Sequence, residues 1–214
     1  MKTEHVISLL AAGLVRQSRR AVLNRFSIAL TVGVLAAIAA IVLSRGVQPH
    51  LVRLLSTPMF WGKVAFPLLI GVAAIVLAAR LSIPGASLGR AWLMLAFPYA
   101  VVWAVALAEL LMTPAGERQA LVFGHTWRQC PLFIALLSVP CYMALSWAMR
   151  GLAPTRLRLS GAVVGLLAGA VGTLVYVLRC PEMSVPFWAS WYSVGMAIPA
   201  LAGWLLARVA FRWS

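Results

Sequence analysis

Two cysteines carry the most specific chemistry in this chain of 214 residues. Cys130 stands in Arg128-Gln129-Cys130-Pro131 and Cys180 in Arg179-Cys180-Pro181, each closely preceded by arginine and followed by proline. Thiolates are nucleophiles and soft-metal ligands, so two thiols at one level can join as a disulfide, act as reactive and resolving partners, or share a soft metal ion. Proline is pre-set for the first helical position, which puts Cys130 at the positive end of a helix with Arg128 beside it, a setting that favours the thiolate. Cys180 falls at the opposite end of its helix, where the dipole disfavours a thiolate and Arg179 offsets part of that effect. Three readings follow: Cys130 reactive and Cys180 resolving, both as soft-metal ligands with His125 or Glu182 nearby, or a structural disulfide in an oxidising compartment. Cys141, between Pro140 and Tyr142, reads as a small core hydrophobe.

What must position these cysteines is membrane-spanning helix. Hydrophobic residues make up 63% of the chain and charged ones 10%, and apolar stretches of about 18 or more residues recur, each long enough for a hydrocarbon core roughly 30 Å thick. Six are expected, at 26–43, 60–79, 91–111, 131–149, 159–178 and 187–207. The fold class is therefore all-α, a polytopic six-helix transmembrane bundle, with residues 26–214 as the six-span domain and residues 1–25 as a short cytoplasmic N-terminal arm. The turn between the fourth and fifth stretches is short, so those two helices are antiparallel neighbours. At about 1.5 Å per residue, Cys130 rises roughly 30 Å above Arg150 and Cys180 roughly 33 Å above Arg158. The two sulfurs reach one height, while helix rotation, and hence whether they face each other, is not set by counting.

Cations near span ends are retained on the cytoplasmic side. Twelve of the eighteen lysines and arginines, Arg16, Arg19, Arg20, Arg150, Arg158 and Arg208 among them, fall on the side of both termini, and six fall on the cysteine side. Both termini are expected in the cytoplasm of a bacterial inner membrane, with Cys130 and Cys180 at the outer rim. The net charge of +14 then reads as a topology signal and a contact with anionic lipid, not as a nucleic-acid footprint. The arm places Val6, Leu9, Leu10 and Leu14 at helical spacing with Ile7 on the flank, followed by Arg16, Arg19 and Arg20. So short an amphipathic helix needs a surface, and either the inner leaflet or a groove on a soluble partner would serve. A signal peptide is excluded because arginines stand where a small-residue cleavage site is required.

No nucleophile elbow, zinc-protease pair, carboxylate pair or phosphate loop occurs, which argues against an enzyme, a cofactor or a small-molecule substrate. Transport would call for ionisable groups at mid-depth; Lys63 and Glu109 lie near span ends and are expected to snorkel to water. Gly161, Gly165, Gly169 and Gly172 form a small-residue face for close helix packing, with Gly195 and Gly203 on the last span doing the same around a bend at Pro199. Trp127, Trp188 and Trp191 are expected in an outer aromatic belt and Trp213 in an inner one. His5, His50 and His125 are scattered through the arm and loops.

The opening Met1-Lys2-Thr3 with its basic arm, the six spans, Trp127-Arg128-Gln129-Cys130-Pro131, Arg179-Cys180-Pro181-Glu182 and Trp188-Ala189-Ser190-Trp191-Tyr192 together resemble the membrane anti-sigma factors of the NrsF type. The resemblance covers nearly the whole chain, and the paired outer cysteines are its most specific part. It implies a cytoplasmic arm that holds an extracytoplasmic-function sigma factor, released when an envelope oxidant or heavy metal acts on the cysteine pair. The arm here is richer in arginine and poorer in acids than that resemblance leads one to expect.

Overall fold

The computed structural model describes residues 19–44, 46, 48, 51–82, 89–150 and 156–210. Six long helices run through them: α1 (Arg19–Ser44), α2 (Pro58–Leu81), α3 (Ala91–Met112), α4 (Gln129–Arg150), α5 (Leu157–Val177) and α6 (Val185–Ala210). Each is long and apolar enough to cross a membrane. Two short helical turns, Leu51–Leu54 and Arg118–Phe123, join them at the cysteine end, and no strand occurs among the described residues. Pro58 opens α2 at a position whose N–H has no intrahelical acceptor. Pro67, Pro98, Pro140 and Pro199 lie inside helices, where apolar surroundings offer the backbone no water to unwind into.

The bundle is organised around α5, whose span is 83% buried while those of α1 and α3 are each 22% buried. It packs against α1, α2, α4 and α6, and its glycines explain how one helix can meet so many. A Cβ on Gly161 would collide with the Gly203 carbonyl, one on Gly165 with the Pro199 carbonyl, and one on Gly172 would stand 2.7 Å from the Ile134 carbonyl. Successive pairs, Gly161 with Gly203, Gly165 with Pro199 and Gly169 with Met196, run in antiparallel register along α5 and α6. A glycine on at least one side of each pair lets the two backbones come this close. The expected packing face is thus present, and it engages both neighbours.

Along the opposite flank, α1 lies antiparallel on α4. A Cβ at Gly33 would be 2.7 Å from Cys141 Cα, and nearer the chain start the Arg25 guanidinium stands 4.2 Å over the Trp147 ring. Cys141 is fully buried in that seam, as the sequence suggests. Since α1 begins at Arg19, the basic residues Arg19, Arg20 and Arg25 continue directly into the first span. The arm positions Val6, Ile7, Leu9, Leu10, Leu14 and Arg16 lie outside the described residues, as do the side chains of Arg19 and Arg20, His5, His50 and Trp213.

Candidate functional site

Cys130 forms the first turn of α4, its N–H donating to the Thr126 carbonyl at 3.0 Å, while Cys180 follows α5, its N–H donating to the Tyr176 carbonyl at 3.0 Å. Both are almost fully buried, within one apolar cluster that gathers α1, α2, α3, α4, α5 and α6 at this end of the bundle. The level reached by counting holds, and packing supplies the rotation that counting left open. The sulfurs are close enough to act on one another electrostatically, and all three cysteines are free thiols. A water-facing thiol at a helix end is not what the fold presents: Cys130 has no exposed surface.

Expectation and structure part most sharply at Lys63. Snorkelling is overturned, because Lys63 is completely buried. Its Nζ donates to the Cys180 carbonyl at 2.8 Å and to the Glu182 carbonyl at 2.7 Å. The physical reason lies in the chain after α5, where the last carbonyls of a helix have no intrahelical donor and Pro181 brings no N–H of its own. Unpaired carbonyls cost several kcal/mol away from water, on the order of a lost hydrogen bond each. An ammonium with three N–H groups supplies two of them. The same ammonium stands 5.9 Å from the Tyr192 ring centroid and acts electrostatically on both sulfurs.

Tyrosines complete the enclosure. The Tyr176 hydroxyl is within hydrogen-bonding reach of the Cys130 thiol and of Thr126, and its ring stacks on Phe133 at 6.2 Å. The buried Tyr192 hydroxyl lies beside the Cys180 thiol but completes no hydrogen bond of good geometry among the described residues. Three helices, α2, α5 and α6, therefore each contribute a side chain to the surroundings of two sulfurs.

Of the proposed accessory residues, Glu182 is structural in its visible contacts. Its Oε1 accepts the His125 N–H at 2.8 Å and faces the Thr126 hydroxyl at 3.5 Å. This tie needs Gly124, which sits at φ 50° and whose missing Cβ would be 2.7 Å from Glu182 Oε2. His125 and Arg128 are exposed, and the Arg128 guanidinium stacks over Trp127 at 4.9 Å, so the cation next to the thiols is Lys63. Arg179 is half-buried. Among the described residues no three His, Cys, Asp or Glu side chains converge as a metal site.

The expected aromatic belt is corrected at Trp188, which is buried against Phe66 at 6.2 Å. Trp127 and Trp191 form a half-buried stack with Phe123, at 5.4 and 5.9 Å from its ring, and Trp191 Nε1 donates to the Val122 carbonyl at 2.8 Å. Glu109 accepts the Val185 N–H at 3.1 Å, capping the positive end of α6. Lys63, Tyr176, Tyr192 and Gly124 were not among the sequence candidates. One signal pointed to Lys63: the chain has only two lysines, and this is the one inside a span.

Comparison with known proteins matches residues 10–213 to the family model described as "Negative regulator of sigma F", NrsF. A protein of Azospira oryzae described as a probable anti-sigma-F factor NrsF is 41% identical over 213 residues, covering 100% of both chains. The anti-sigma-F factor NrsF of Caulobacter vibrioides is 33% identical over 214 residues, again covering 100% of both. No solved structure matches.

Proposed function

The chain belongs to the NrsF family of negative regulators of a sigma factor, and from that premise we propose that it is a membrane-bound anti-sigma factor whose signal is received by Cys130 and Cys180. The family is one of regulators, not enzymes. In this reading the basic N-terminal arm of residues 1–25 holds an extracytoplasmic-function sigma factor on the cytoplasmic side of a bacterial inner membrane. The cysteine end faces the opposite compartment, and both termini share the side rich in arginine.

The observation that carries the reading is the enclosure of two free thiols in one buried cluster at a single end of the bundle. An oxidant would join them, two S–H bonds giving one S–S bond while two protons and two electrons pass to the oxidant. A soft cation would instead displace the same two protons and bind both thiolates. Either event puts a new bond into a site already filled by tyrosine rings and an ammonium, so the start of α4 and the end of α5 must shift relative to each other. Two contacts support a route from there to the arm: α4 runs from Cys130 through Cys141 and Trp147, the two residues on which Gly33 and Arg25 of α1 rest. The arm continues into that same α1.

The decisive experiment is a sigma-dependent reporter in cells carrying C130S or C180S. Induction by oxidant or soft metal should fall at least about tenfold in either variant, with wild-type induction retained in C141S. Unchanged induction in C130S and C180S would remove the thiols from the signal. Capture of a sigma factor by the full chain and its loss on deleting residues 1–18 tests the arm, and reporter fusions to residue 1 test the orientation.

A further inference from the structure

We infer that Lys63 is the positioning residue of the cysteine pair: its ammonium fastens the Cys180–Glu182 turn to α2, holds the Cys180 thiol against Cys130, and supplies the cation for a thiolate formed at either sulfur. The inference rests on the reading of Cys130 and Cys180 as the signal-receiving thiols.

Three observations carry it. The first is burial with backbone acceptors, since Lys63 has no exposed surface and its Nζ donates to two backbone carbonyls, while the Glu182 carboxylate acts on it only through the field. A charged lysine among apolar neighbours costs several kcal/mol in desolvation, and methionine would fill the same space without that cost. The second is where those carbonyls sit. They belong to Cys180 and Glu182, so the ammonium grips the chain on both sides of Pro181 and sets the direction in which the Cys180 side chain leaves the backbone. The third is that Lys63 lies within electrostatic reach of both sulfurs, while Arg128, which adjoins Cys130 in sequence, is stacked on Trp127.

The chemistry accounts for a lysine at this place. Disulfide exchange and soft-metal binding both pass through a thiolate, and a bare thiolate is strongly disfavoured inside an apolar bundle. With the Lys63 amine already beside both sulfurs and the Glu182 carboxylate within electrostatic reach, loss of a thiol proton places the new negative charge next to an existing cation instead of leaving it bare. The same group that holds the turn therefore lowers the cost of the reactive form where solvent does not reach.

The test uses the full chain in detergent micelles, with diamide as the oxidant; its N=N bond takes up the two protons and two electrons released by the thiols and becomes a hydrazine. Cys130–Cys180 bridging is followed by mass-tagging of the remaining thiols in wild type, K63M and K63R, with N-ethylmaleimide labelling of Cys141 reporting on the integrity of the bundle. K63M should bridge at least about tenfold more slowly, on the order of one charge-assisted hydrogen bond. K63R, whose guanidinium can donate to the same carbonyls, should recover most of that loss, and Cys141 labelling should stay unchanged. Bridging of K63M within twofold of wild type overturns the inference, as does slow bridging accompanied by faster Cys141 labelling, the mark of a loosened bundle. A wild-type chain that neither bridges nor is protected from labelling by cadmium overturns the thiol reading itself; wild-type bridging with an indifferent K63M overturns only the role of Lys63.

Discussion

The glycine seam between α5 and α6 and the cysteine end of the bundle are held by different forces. Along α5 and α6 the contact is backbone on backbone, with Gly161 on Gly203 and Gly165 on Pro199 leaving no room even for a methyl group. At the cysteine end Lys63, Tyr176, Tyr192 and two thiols are enclosed together, and the closure is made by hydrogen bonds to carbonyls and by ring contacts. A steric seam has one arrangement, because any displacement opens voids or clashes. A polar enclosure has more than one, because its donors can exchange partners when chemistry changes a sulfur. In the function proposed above, the glycine seam would stay fixed while the cysteine end responds.

Breaking the seam should have the largest effect. Gly165→Val puts branched carbon into the Pro199 carbonyl, and a loss on the order of 3 kcal/mol or more is expected, seen as failure to recover folded protein or a large fall in the melting temperature in detergent. If G165V melts like wild type, the two regions do not differ in the way described. Gly33→Leu attacks the lateral contact with Cys141 and should cost about 1–3 kcal/mol while uncoupling diamide bridging of the thiols from release of the captured sigma factor. Preserved coupling in that variant would put the route elsewhere.

Smaller changes sharpen the comparison at the polar end. Gly124→Ala imposes a side chain on a left-handed backbone and on the Glu182 carboxylate, with an expected cost of about 1–2 kcal/mol, measurable by thermal or denaturant melting. Glu182→Gln keeps the shape but weakens acceptance of the His125 N–H, and about 0.5–1.5 kcal/mol is expected. The smallest effect runs the other way. Gly62 neighbours Lys63 in sequence but has open space where a Cβ would go, so Gly62→Ala should stabilise α2 by up to about 1 kcal/mol without altering diamide bridging.

Much of this was legible in one dimension. Hydropathy marked the six spans to within a few residues, since every spanning segment must hide its own backbone from lipid, and the largest boundary difference is at α1, which starts at Arg19 within the basic run. The glycine face of α5 was legible because small residues at helical spacing mark where a second backbone comes close. Trp188 and Lys63 were misread for a shared reason: near a span end, sequence cannot distinguish a side chain that reaches outward to water from one that reaches inward to a neighbouring loop. Lys63 finds its acceptors 117 and 119 residues away, and no local pattern records such a partner.

By itself, the order of residues determined that this chain forms six apolar helices and that Cys130 and Cys180 stand at one level, because both follow from hydrophobic length and rise per residue. Only tertiary structure decided that the two thiols share one cluster, that a buried ammonium joins them, and that α1 lies along α4. Those outcomes depend on how each helix is rotated and which neighbour it meets, and both are set by packing between segments far apart in the chain.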